Sequence, residues 1–319
     1  MRAIIKDTDG TTLKDTPIPN VQSGNDVVIK VAYAGLCRTD IYAADGLIDT
    51  RGTRILGHEF SGVITDIGVQ VTQFKLGDRV TVMPVMPCGK CALCEHGHDD
   101  LCQDTQMLGL EYDGAFAEYI RVPEKFVYKL PDAVSFKQGA YSEPLAASLS
   151  VLKSGIQAGQ KGLILGDNRF GQLIARILKV HGFNDVTIHD VNSAVVPPSN
   201  TYDFVIETVA TEAVMMQAFT AAKPKGVIIL KSRKHDPIGI NFNLAVRKEL
   251  KIQAVNYADF DETLALLARP DFSVDDLFGN CYPLDDFQSV FETAKHSENL
   301  KIFFIANSDL AENDNVRNC

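Results

Sequence analysis

Apolar and polar positions along the chain fall into two textures. Up to about residue 130 the apolar residues come in short, β-branched-rich runs: VVIKVAYAGL (27–36), GVITDIG (62–68) and DRVTVMP (78–84). Each is bordered by Gly, Pro or Asp, so the runs predict strands separated by turns. MRAIIKDTDG, at the start, holds only a three-residue apolar run and predicts a first strand ending in an Asp-Gly turn, not an export leader. From about 145 the texture changes. LAASLSVLKSG spaces its apolar residues as a helix does. KGLILG (161–166) is apolar without alternation, as in a strand buried on both faces of a parallel sheet. A helix over 170–181 closed by Gly182, strands at 185–190 and 203–208, a helix over 211–222 and strands at 226–231 and 251–256 continue the alternation. Strand–helix–strand repetition predicts a doubly wound α/β domain. A helix over 283–297, a strand at 300–306 and a polar, flexible tail over 308–319 complete the pattern.

One interval breaks the alternation. Only eleven residues, VNSAVVPPSNT, separate Asp190 from Tyr202, and two are prolines. A parallel crossover with its helix needs about a dozen or more. The doubly wound sheet is therefore predicted to be shortened by one βα unit.

Composition narrows the function classes. A length of 319 residues suits about two domains. The 45% hydrophobic and 23% charged fractions are those of a soluble globular chain, and no apolar run reaches the roughly 18 residues a membrane helix needs. A net charge of -10 argues against nucleic acid or an anionic membrane as partner.

The seven cysteines are uneven. Four lie in PCGKCALCEHGHDDLC as Cys88, Cys91, Cys94 and Cys102; the others are Cys37, Cys281 and Cys319. With no leader, a reducing cytoplasmic setting is expected, and clustered thiols there point to metal. Tight CxxC spacing lets four thiolates close a tetrahedral shell on zinc, which leaves no open position and makes the role structural. An iron–sulfur cluster is the alternative, with a different usual spacing. Cys37 in GLCRTD (35–40), His58 and Glu59 in GHEFSG (57–62) and Glu143 in SEPLA (142–146) form a second candidate set. A thiolate, an imidazole and a carboxylate leave one position open on zinc, the pattern of a catalytic site.

The order GLCRTD, GHEFSGVITDIG, GDRV, the four-cysteine lobe, DGAFAEY and EPL resembles the zinc-containing medium-chain dehydrogenases. EPL and RKELKI (247–252) resemble the branch of sorbitol, threonine and galactitol-phosphate dehydrogenases. The resemblance runs to about residue 307. It implies a GroES-like catalytic domain over 1–147 with its zinc lobe at 88–102, a Rossmann cofactor domain over 148–270, and a return to the catalytic domain over 271–307. It implies catalytic zinc on Cys37 and His58, with the carboxylate from Glu59 or Glu143, a second, structural zinc in the cysteine lobe, and a homodimer or homotetramer. Asp40 would orient the site, and Thr39 would pass the substrate proton outward. Many relatives carry His five residues after the zinc-binding cysteine; here that position is Tyr42, a poorer relay at neutral pH because a phenol ionises near pH ~10.

The glycine fingerprint that opens a dinucleotide site, GxGxxG, reads here as Gly166-Asp167-Asn168-Arg169-Phe170-Gly171. Its middle glycine, which normally lets the diphosphate approach the backbone, is Asn168. Asn tolerates unusual backbone angles, so the turn is expected to survive. Arg169 offsets the charge of Asp167. Asp190, 24 residues after Gly166, suits a ribose 2′-hydroxyl and repels a 2′-phosphate; with no Lys or Arg in 191–200, NAD(H) is favoured over NADP(H). The expected activity is hydride transfer between NAD and a secondary alcohol: a polyol, a sugar alcohol or an amino alcohol. Arg38, Arg51 and Arg54 would admit a phosphorylated substrate if they face the site. The competing reading, motivated by Tyr42, Asn168 and the short cofactor domain, is a non-catalytic zinc protein that acts as a binding scaffold.

Overall fold

The computed structural model describes residues 1–233, 237–295 and 300–317, with only the backbone for Asp100 and 313–317. The chain forms two compact units. The first holds Met1–Glu143, Leu264–Ala268 and the chain from Asp275 on; the second holds Pro144–Thr263 and Arg269–Val274.

The first unit is built on one long strand, Asp26–Gly35, nine of whose ten residues are buried. It pairs antiparallel with Glu59–Ile67, Tyr119–Pro123 and Lys301–Ile305. Its apolar residues, with Phe60, Ile64, Val80, Ile120 and Phe304, form a continuous core. Burying each such side chain stabilises the unit by roughly 1.5–3 kcal/mol. Gly62 is required where two strands approach: a Cβ there would run into Lys30 O. The Asp9-Gly10 turn joins Arg2–Asp7 to Gly10–Asp15 as expected.

Two elements differ from the sequence expectation. The segment after Leu36, where only strands and turns were expected, carries a helix, Arg38–Ala44, with Cys37 at its N-cap. The tail read as flexible carries a helix, Ser308–Arg317. Its apolar stripe is too weak to predict it, yet Ala311 is buried and Asp309 pairs with Lys30 at 2.7 Å. The last two residues of that tail, and residues 296–297 of the helix expected over 283–297, lie outside the described residues. The remainder of that helix is Phe287–Lys295.

The second unit holds a five-stranded parallel sheet in the order Val186–His189, Gly162–Leu165, Tyr202–Glu207, Ala222–Leu230, Lys251–Ala254. Successive residues of the central strands enter opposite cores. Leu163, Leu165 and Val205 pack with Val214 and Phe219, whereas Ile164, Phe204 and Ile206 pack with Ile174 and Leu178. That two-sided burial is why Gly162–Leu165 reads as an unbroken apolar run. Residues 190–201 form neither helix nor strand, so the chain passes from the edge strand Val186–His189 to the middle strand Tyr202–Glu207 without a crossover helix. The shortened α/β sheet expected from the length of that interval is what the chain forms.

Candidate functional site

The donor atoms of Cys37, His58 and Glu59 lie within 4.8 Å of one another. Helix capping brings two of them together. Asp40, in the first turn after Cys37, accepts the Cys37 N–H through Oδ2 at 2.9 Å, and its Oδ1 lies 3.0 Å from His58 Nδ1. A carboxylate only accepts, so Nδ1–H donates and Nε2 is left as the ring nitrogen able to bind a metal. Asp40 and His58 are both almost wholly buried. Burial opposes a charge on His58, but the Asp40 carboxylate and Cys37 outweigh it and hold the imidazole well above its usual value. A metal would have to displace that proton, as metal binding to imidazole generally does.

Glu59 begins the strand Glu59–Ile67. Burial raises its pKa, Lys301 opposes that rise, and Glu143 adds to it. Lys301 is itself buried, pairs with the Glu59 carboxylate and donates to Leu36 O at 2.8 Å. Gly35 leaves the space for this pair, since a Cβ there would stand 2.7 Å from Lys301 Cε. Stripping one member from a buried pair costs about 3–5 kcal/mol. Lys301 escaped the sequence reading; its signal is a lone lysine opening an otherwise apolar strand. Glu143 is buried in the helix Ser142–Leu149, near enough to act on Glu59 but outside the group of converging donor atoms. Thr39 Oγ lies 3.8 Å from Cys37 Sγ. Tyr42 sits half-buried further along the same helix.

The second constellation is Cys88, Cys91, Cys94 and Cys102. Its frame is minimal: a two-residue strand pairing, Val85–Met86 with Gln106–Met107, and a one-turn helix, Ala92–Glu95, with no buried residue. Cys91 Sγ lies 3.5 Å from Cys94 Sγ and 4.0 Å from Cys102 Sγ. Hydrogen bonds from the Cys94 backbone and thiol bring Cys91 down to about 6, while burial and the neighbouring Cys91 push Cys94 up. Four sulfur donors gathered this closely fit the tetrahedral shell of a zinc ion.

The three arginines have partners within the chain. Arg51 approaches Glu111 at 3.7 Å, Arg54 donates to Glu111 O and Thr53 O, and Arg38 donates to Lys295 O. Each of these guanidinium groups thus reaches a backbone carbonyl or the Glu111 carboxylate.

In the second unit, the turn Gly166–Gly171 joins a strand to the helix Arg169–Val180, the context a dinucleotide fingerprint requires. Gly166 has φ +124, and a Cβ there would run into Thr208 Oγ; a Cβ at Gly171 would run into Gly166 O. Both outer glycines are therefore needed. Asn168 has φ -125, which is extended. The sequence argument that Asn survives by tolerating unusual angles is corrected: a glycine here would supply space, not backbone freedom. Asn168 fills that space. Its Oδ1 accepts from Gly171 N and its Nδ2 donates to Thr208 Oγ, both at 3.0 Å. The turn fits a dinucleotide at its outer positions and not at 168. Arg169 is half-buried, with its guanidinium 5.0 Å from the Phe170 ring centroid. Asp190 is exposed at the end of Val186–His189, and its Oδ1 accepts from Asn192 N at 2.9 Å. No helix among the described residues is long and apolar enough to cross a membrane.

Comparison with known proteins places this architecture. Residues 23–132 match the alcohol dehydrogenase GroES-like domain. "Probable D-xylulose reductase A" of Aspergillus fumigatus is 28% identical, over 90% of this chain and 91% of its own length. Among solved structures, a Sinorhizobium meliloti protein bound to NADP superposes with a TM-score of 0.87 at 25% identity, covering 95% of this chain and 98% of that one. Galactitol-1-phosphate dehydrogenase of Escherichia coli superposes with a TM-score of 0.85 at 25% identity, covering 96% and 100%. Residues 23–132 therefore form an alcohol dehydrogenase GroES-like domain, and the chain as a whole is similar to medium-chain dehydrogenase/reductase proteins.

Proposed function

We propose that this chain is a zinc-dependent oxidoreductase that exchanges a hydride between a secondary alcohol, of the polyol, sugar-alcohol or amino-alcohol class, and NAD(H). The observation that carries the reading is the Asp40 carboxylate, which binds the Cys37 N–H and His58 Nδ1 at once and so aims a thiolate and an imidazole nitrogen at one buried point beside Glu59. Cys37, His58 and Glu59 would hold the ion, with Glu143 the carboxylate that could replace Glu59. Zinc bound there supplies Lewis acidity to an alcohol or carbonyl oxygen in its open position.

The chain's own groups do the rest. Asp40 fixes the imidazole ring and its tautomer. Lys301 holds the Glu59 carboxylate and balances its charge in a buried setting. The Thr39 hydroxyl, beside Cys37 Sγ, takes the substrate proton toward solvent. Tyr42 makes the onward path slower than an imidazole would at neutral pH. Cys88, Cys91, Cys94 and Cys102 hold a second zinc that replaces the missing core of their lobe. Exposed Asp190 and the uncharged 191–200 segment favour NAD(H) over NADP(H). Names of relatives agree with an alcohol or polyol substrate: D-xylulose reductase and galactitol-1-phosphate dehydrogenase. With Arg38, Arg51 and Arg54 engaged elsewhere, an unphosphorylated substrate is the better fit.

The test is oxidation of a panel of polyols, sugar alcohols, their phosphates and amino alcohols with NAD or NADP, followed by reduced nicotinamide. Turnover with an uncharged polyol and NAD, abolished by chelation and restored by zinc, is expected. No turnover with any alcohol, by a chain that holds its full zinc, would favour the scaffold reading.

A further inference from the structure

We infer that Asn168 closes the amino end of the helix Arg169–Val180 against the diphosphate of a dinucleotide, so that the cofactor binds only by evicting this side chain. The inference rests on the dinucleotide reading above and concerns one residue of it.

A helix start offers free backbone N–H groups to an anion. Here the Gly171 N–H is already taken, by Asn168 Oδ1 at 3.0 Å. The other end of the same carboxamide donates to Thr208 Oγ at 3.0 Å, and Thr208 donates in turn to Leu165 O at 3.0 Å. The side chain is thus tied to the helix on one side and, through Thr208, to the end of the strand Gly162–Leu165 on the other. It lies over Gly166, where a Cβ would stand 2.9 Å from Asn168 Nδ2. The hollow that a glycine at 168 would leave for phosphate oxygens is filled by a group of the chain itself. Asp167, exposed and bonded to Gln172 Nε2 at 2.6 Å, adds a negative charge at the same turn. An incoming diphosphate meets a satisfied donor, a filled hollow and a like charge. Backbone conformation does not demand this residue, because φ -125 at 168 suits any side chain.

The experiment is titration of the full-length, zinc-loaded chain with NADH, by fluorescence, for the wild type, Asn168→Ala, Asn168→Gly and Thr208→Val. Adenosine, which has no phosphate, is titrated in parallel. Removing a competing cap is expected to tighten NADH binding about five- to tenfold in Asn168→Ala and Asn168→Gly. Thr208→Val, which frees one end of the carboxamide, should give a smaller gain. Adenosine affinity should not change. Asn168→Ala should also melt about 2 °C lower, since its helix loses a cap. NADH affinity unchanged or weakened in both Asn168 variants, with the wild type binding, overturns the inference and leaves the dehydrogenase reading standing. A gain shared equally by adenosine also overturns it, because the diphosphate is then not what the side chain excludes. Failure of every variant and of the wild type to bind NADH overturns both.

Discussion

The metal group of the first unit and the glycine turn of the second use the same device, a side chain capping the start of a helix, to opposite effect. In the first, Asp40 caps the Cys37 N–H and in the same stroke orients His58. The hydrogen bonds that stabilise the fold also assemble the ligands. In the second, Asn168 caps Gly171 N and covers the place where a diphosphate would lie. On the inference above, the hydrogen bond that stabilises the fold there would oppose the ligand. A capping residue is therefore neither a functional nor a structural mark by itself. Its second partner decides: an imidazole nitrogen for Asp40, a threonine hydroxyl at a strand end for Asn168.

The strongest way to break the comparison is to remove His58, the proposed metal ligand bonded to Asp40. His58→Ala is expected to lower turnover by about a thousandfold or more, several kcal/mol of transition-state stabilisation, with the fold retained by circular dichroism. Activity near wild type would detach the group from catalysis. Next in size is Asp40→Ala, which leaves the ligands in place but unoriented. Zinc affinity at this site is expected to fall about 10–100-fold, read by competition with a chromophoric chelator. An unchanged affinity would mean that the cap is structural only. The smallest effect belongs to the second unit's sheet, away from both caps. Asp203 accepts from Lys161 N and from Lys223 Nζ, and the Lys223 bond in particular holds its carboxyl below the usual range. A carboxylate whose folded pKa is depressed stabilises above its unfolded value near ~3.9, and that stability is lost as pH falls through the folded value. Asp203→Asn is thus expected to cost at most about 1 kcal/mol in urea unfolding at pH ~7, with the difference shrinking as pH falls below the unfolded value of ~3.9. A difference that grows on acidification would contradict the sign.

Much of this was legible in the sequence because it is local. Gly162–Leu165 announces burial on both faces by its unbroken apolar run, and the eleven residues after Asp190 are too few for a crossover. The cysteine lobe is legible from spacing alone, for a lobe without buried apolar residues has little else to hold it. What stayed hidden depends on contacts distant in sequence or on elements too short to show a period. The helix Arg38–Ala44 is seven residues long. Lys301 reaches Glu59 only because the strand Lys301–Ile305 returns to pair beside Gly35. The roles of Arg51 and Arg54 turned on Glu111 and a backbone carbonyl, which charge counting cannot see. At Asn168 the residue type suggested backbone freedom, whereas its function turns on where the carboxamide points.

The central claim is that two separate constellations each hold a zinc ion, one open beside Asp40 and one closed by four thiolates. Zinc content per chain, measured on the purified wild type, Cys37→Ser and Cys91→Ser, tests it directly. The account predicts one zinc in each constellation of the wild type, the loss of one ion in Cys37→Ser with the lobe's ion retained, and the loss of the other in Cys91→Ser. A wild type with a single zinc that survives Cys37→Ser would contradict it.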